Sequence, residues 1–343
     1  MKTLLKYYWL VGLITILIWI LVGARLGFEA LVLCIILTLL EITFSADNAV
    51  VNSRVLATLS RFWRILFLTV GILLAVFVVR FILPIVIVMA GVGLPFGDTL
   101  NLAINDPEAY KIELDKAAPI INAFGAMFLL MVAFGFFINK DKKVSWLKIV
   151  EKPLIYIASR VSFFGLWLGF IVMILTVINA PSEVSGQVGL AMLAAIALYS
   201  GLHYINSLME KHESKSGPVQ KAGFAAFLSF MYLQVLDASF SLDGVIGAFA
   251  LTDNIIIIMA GLGAGALWVR EFTVYMVDTN ALVRYKYLEH GAHWAIFVLG
   301  LIMLLKVNGT ELPEILVGLV GLVFVAAALY SSRRDHSRQL REL

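Results

Sequence analysis

A chain of 343 residues that is 61% hydrophobic and 14% charged, with a mean hydropathy of +0.95, is too apolar for a water-soluble domain and reads as a polytopic membrane protein. Its formal net charge of +3 gives no nucleic-acid footprint, so the basic residues are better read for topology. The single cysteine, Cys34, excludes an intrachain disulfide and is a poor basis for a soft-metal site.

The fold class is all-α. Apolar runs of at least about 18 residues place spans near 7–24, 28–52, 63–91, 119–138, 161–179, 188–209, 223–250, 254–277, 293–307 and 312–331, ten in all. Lys2 and Lys6 ahead of a run ending Val22-Gly23-Ala24 outline a signal peptide. Another apolar run follows at once, so an uncleaved first helix is expected.

Basic residues then alternate between loops. Lys2 and Lys6, Arg54 to Arg64, the lysines of 140–152 with Arg160, Lys211 to Lys221, Arg284 with Lys286, and the arginines of the tail share one side. The opposite loops hold only Arg25, Lys111, Lys116 and Lys306. This asymmetry predicts a plasma (inner) membrane protein with both termini cytoplasmic. The acidic segment 91–118 contains Asp106-Pro107-Glu108, a cap followed by Pro at the first helical position, and predicts a short surface helix.

Within the second run stands Glu41-Ile42-Thr43-Phe44-Ser45-Ala46-Asp47-Asn48, and within the seventh Asp237-Ala238-Ser239-Phe240-Ser241-Leu242-Asp243-Gly244. Acid, aromatic, Ser and Asp recur at the same offsets. Gly71 to Arg80 also aligns with Gly261 to Arg270, 190 positions apart, against 196 for the acidic motifs. Five crossings separate the copies, so the pattern predicts inverted-topology repeats, 28–138 and 223–307, joined by 139–222 and followed by 308–343, in one transmembrane domain over 1–343.

An ionisable residue in hydrocarbon is costly, and a functional site is its default reading. Glu41 and Asp237 both fall near mid-membrane at 1.5 Å per residue. Asp47 is six residues from Glu41, about 120° around a continuous helix. The spacing therefore predicts discontinuous helices around Ser45–Asn48 and Ser241–Gly244 that turn the second acids inward.

Glu41, Ser45, Asp47, Asn48, Asp237, Ser241 and Asp243 offer only oxygen, which suits Mn²⁺, Mg²⁺ or Ca²⁺ and disfavours Cu⁺. Four carboxylates against Arg80 and Arg270 leave two negative charges, which one divalent ion neutralises. Glu271 upsets that balance. His203 and Asn206, alone on their spans, are better read as interhelical hydrogen-bonding residues, and Gly261-Leu262-Gly263-Ala264-Gly265 as close helix packing.

Glu-x-x-x-Ser-x-Asp-Asn early in an apolar chain, with acid-x-x-x-Ser-x-Asp late, resembles the TerC family of integral membrane proteins, of the lysine-exporter superfamily. The resemblance covers about 41–80 and 237–270 and implies export of a divalent cation, most often Mn²⁺. Glu41, Asp47 and Asn48 match the first motif, and Asp237, Ser241 and Asp243 the second. Gly244 and the ten spans depart from it, which places the chain in a divergent branch.

The expected activity is thus a secondary transporter, not an enzyme, working by alternating access with protons as candidate counter-ions. The lipid bilayer and the metal ion are its partners, and no prosthetic group is expected. Two alternatives are an intramembrane aspartyl-type enzyme, and a membrane factor assisting insertion or metalation of exported proteins.

Overall fold

The computed structural model describes residues 2–339 apart from 75–77, 79, 81, 83–84, 87, 90–93, 141, 143, 214–220, 222, 250, 253 and 311. Much of the 71–80 stretch of the expected repeat lies outside the described residues. So do the side chains of Ser241, Asp243 and Asn206, although their backbone is helical.

The described elements are helical throughout. In chain order they are α1 (Lys2–Leu26), α2 (Phe28–Phe44), α3 (Ala46–Thr58), α4 (Arg61–Leu73), α5 (Phe96–Asn105), α6 (Pro107–Phe137), α7 (Lys148–Arg160), α8 (Phe164–Asn179), α9 (Ser185–Glu213), α10 (Gly223–Phe249), α11 (Ile255–Asp278), α12 (Ala281–Arg284), α13 (Leu288–Val307) and α14 (Glu314–Gln339). Between α4 and α5, Leu74, Val78, Arg80 and Ile82 adopt the wider π-helical turn, a geometry that is rare and often found at functional sites.

The expectation of ten spans is overturned. Among the described residues, five helices are long and apolar enough to cross a membrane, or up to seven if each of two bent pairs forms one span. No inverted-repeat pairing is established, and the parity on which the placement of both termini rested falls with the count. The excess arose because apolar runs were equated with crossings. Phe164–Asn179, within the 161–179 run, follows α7 at a 110° bend, with Phe163 left-handed at φ 57°, so it counts as a span only if that bent pair forms one.

The acidic segment also behaves differently from expectation. Asp106 caps a helix as its sequence suggests, its Oδ1 accepting from Ala109 N at 3.1 Å, which satisfies one of the orphan N–H groups of the first turn. That helix is not short. It runs through Pro119 to Phe137, and the predicted surface helix and the fourth span are one 31-residue element.

The two motif helices also diverge. At Ser45 (φ −101°, ψ 12°) the backbone leaves α2 and restarts as α3, and the two axes differ by 55°. At Ser241–Gly244 the expected discontinuity is absent, since α10 runs unbroken to Phe249.

Apolar packing explains where these helices pass. One buried cluster joins Ala126–Phe137 of α6 to Met192 of α9, Ile296 of α13 and Val50 and Val51 of α3. A second joins Cys34 and Leu37 of α2 to Tyr110 of α6, Val245 and Phe249 of α10 and Ile258 of α11. The bent pair starts in the second cluster and ends in the first. α10 makes the same passage, with Leu236 in the first and Val245 in the second. The acidic motifs fall at the seam.

Candidate functional site

Glu41 reaches the seam from the last turn of α2 and is almost completely buried, 2% exposed. Its Oε1 accepts from Ser45 Oγ at 2.9 Å and from the Arg80 guanidinium, itself 4% exposed. The break at Ser45 thus serves two purposes. It frees the hydroxyl to turn back on Glu41, and it redirects α3 so that Asn48 faces α10.

Asn48 Nδ2 donates to Asp237 Oδ1 at 3.0 Å, a contact between residues 189 apart that ties the two motifs together. A cavity of about 40 Å³ lies beside them, lined by Glu41, Asn52, Arg80, Gln234, Asp237 and Arg270 among others. That is room for a few water-sized particles at most. Isolated buried charges are costly, so the Glu41–Arg80 pairing is what makes this burial tolerable.

What the pairing leaves open is more informative. Asn48 Oδ1, Asn52 Oδ1, Gln234 Oε1 and Asp237 Oδ2 are buried with no hydrogen-bond partner among the described residues. Buried polar atoms are normally satisfied, and four oxygens unsatisfied in one region demand an explanation. All four are acceptors, so a hydrogen-bond donor or a hard cation fits them.

Glycines bring the walls together. A Cβ on Gly265 would lie 2.5 Å from Glu41 Cβ and 2.8 Å from the Thr38 carbonyl oxygen. One on Gly261 would lie 2.5 Å from Leu37 Cβ. The glycine-rich stretch of α11 is therefore a close crossing over α2, as its spacing suggested. Gly71 makes similar room for the Gln234 amide, 3.1 Å from where a Cβ would stand.

The residues named from the sequence are only partly assembled here. Glu41, Ser45, Asn48, Asp237 and Arg80 form one connected network. Arg270 lines the cavity without an ion pair among the described residues, and Glu271 does not line it. Asp47 is 2% exposed, but its carboxylate faces Gly321 of α14, 3.4 Å from where a Cβ would stand, and accepts from its neighbour Asn48 N at 3.0 Å. The Ser241 and Asp243 side chains lie outside the described residues. Among the described residues no three His, Cys, Asp or Glu side chains converge at metal-binding spacing. Among the described residues the site holds the amides of Asn48, Asn52 and Gln234 beside the carboxylates of Glu41 and Asp237.

Asn52 and Gln234 escaped the sequence reading. Their signal was available, because Asn52 lies one turn beyond Asn48 and Gln234 one turn before Asp237, each extending a polar face through an apolar helix. His203 stands apart and lines a different cavity.

A family model described as "Protein of unknown function (DUF475)" matches residues 46–339, which takes in Asp47, Asn48, Arg80 and Asp237 and stops short of Glu41. Neither a curated protein nor a solved structure matches the chain.

Proposed function

We propose that this chain, which belongs to the DUF475 family, is a secondary transporter that exports a divalent cation, Mn²⁺ foremost, by alternating access through the Glu41–Asn48–Asp237 site. The observation that carries this reading is the group of four buried oxygens without a hydrogen-bond partner among the described residues, three of them on residues lining a cavity of about 40 Å³. Oxygen ligands of mixed carboxylate and amide type suit Mn²⁺, Mg²⁺ and Ca²⁺.

The charges shape the mechanism. Glu41 and Asp237 against Arg80 and Arg270 are neutral together, so a divalent ion enters only as a guanidinium withdraws from its carboxylate. Arg80 then acts as a built-in counter-cation, releasing Glu41 when the ion arrives and recapturing it when the ion departs. Protons are the candidate exchange ions for the remaining charge. The resemblance of the two motifs to the TerC family supports export as the direction.

The test is Mn²⁺ flux into proteoliposomes reconstituted with full-length protein, with wild type and Asp237→Asn compared across Mn²⁺, Mg²⁺, Ca²⁺, Zn²⁺ and Fe²⁺. Wild-type flux of the hard ions, lost in Asp237→Asn while the variant stays folded, is the expected result. Undiminished flux in the variant rejects the site, and a preference for Zn²⁺ over all hard ions rejects the ligand argument.

A further inference from the structure

The second cavity has the opposite chemistry. It measures about 340 Å³ and is lined by residues from α3, α6, α9, α10 and α13, together with Lys221. Arg54, Lys221, His203 and His293 contribute to its walls, and no Asp or Glu does so among the described residues. Arg54 pairs behind the wall with Glu289. Tyr199, Tyr232 and Ser229 add hydroxyl groups.

The wall is built rather than accidental. Gly135 makes room for Tyr199, whose hydroxyl lies 2.0 Å from where a glycine-replacing Cβ would stand. His293, 5% exposed, stacks on Phe136 with ring centres 3.8 Å apart. Its Nδ1 bonds the Glu289 carbonyl oxygen at 2.8 Å, so that nitrogen carries the proton and Nε2 of the neutral ring is an acceptor. At the rim, Lys221 is fixed by its own backbone, its N–H donating to Thr58 O at 2.9 Å and its carbonyl accepting from Ser60 N at 3.0 Å.

Cationic groups and hydroxyls call for an acceptor-rich anion. A phosphate group is one, and Arg and Lys are the usual phosphate-binding side chains. We infer that this cavity binds a phosphate group, either free phosphate or the phosphate headgroup of a lipid. A cation in transit would be repelled here, so the site is separate from the Glu41–Asp237 cavity and does not depend on the transport reading.

The experiment uses full-length protein purified in detergent. Native mass spectrometry reads lipid retained through purification, and ³¹P line broadening with thermal unfolding reads added inorganic phosphate. Wild type is compared with Lys221→Gln and with His203→Ala, which removes an exposed ring stacked on Tyr199. If the source is lipid, wild type retains phospholipid and both variants lose it. If the source is soluble, wild type carries no lipid but broadens and is stabilised by phosphate, with Kd rising about tenfold or more in the variants. Folded variants that match wild type in both assays, or a wild type with neither lipid nor a phosphate response, overturn the inference.

Discussion

Two carboxylates with buried oxygen atoms sit in different surroundings in this molecule. Glu151, 0% exposed, has both oxygens engaged. Its Oε1 accepts from Trp146 N at 3.3 Å, Leu147 N at 3.1 Å and Trp294 Nε1 at 3.3 Å, and its Oε2 from Lys142 Nζ at 2.7 Å. Burial pushes the Lys142 ammonium below its ordinary value, while Glu151 opposes that shift. Asp237 has one oxygen held by Asn48 and the other open, beside three open amide oxygens. Burial alone does not mark a functional acid. Incomplete satisfaction does, because a saturated carboxylate joins a loop to two helices and has nothing left to offer a ligand.

The sharpest way to break this contrast is Asp237→Asn, which removes the open carboxylate. Mn²⁺ flux is expected to fall below detection in proteoliposomes, with Tm unchanged within a few degrees. Glu151→Ala should do the reverse. It strands Lys142 and three N–H donors, so unfolding followed by denaturant or heat is expected to show a loss of about 3–5 kcal/mol, while any correctly folded fraction transports normally.

Gly265→Ala tests the wall between these extremes. The new methyl group cannot fit against Glu41, and an overpacking cost of about 1–3 kcal/mol is expected together with weaker ion binding. The smallest effect should come from Asn52→Ala, which deletes one open oxygen. A several-fold rise in half-saturating Mn²⁺, on the order of 1 kcal/mol, is expected without loss of maximal flux. Equal maximal-rate losses in Asn52→Ala and Glu151→Ala would erase the distinction between open and saturated sites.

The chain disclosed some of this beforehand. All-helical membrane character follows from composition, and the matched offsets singled out two motifs that the Asn48–Asp237 hydrogen bond brings into contact. Helix count was not legible. Whether Phe164–Asn179 is a separate crossing depends on a left-handed Phe163, and how far the helix begun at Pro107 continues depends on packing that no apolar-run rule contains. The fate of the second acids was hidden for a different reason. Asp47 turns toward Gly321, a residue 274 positions away, and only tertiary placement of α14 puts that glycine there. Glu151 was unreadable from its neighbours because two of its partners, Lys142 and Trp294, come from separate segments.

The close crossing of α11 over α2 has a consequence for selectivity. With Gly265 set against its Cβ and Cγ, Glu41 has little rotamer freedom left to lose when a ligand arrives. In the proposed transporter, a carboxylate held this stiffly would not follow an ion of the wrong radius, so size discrimination would reside in the immobility of the glutamate stem as much as in the identity of its oxygens.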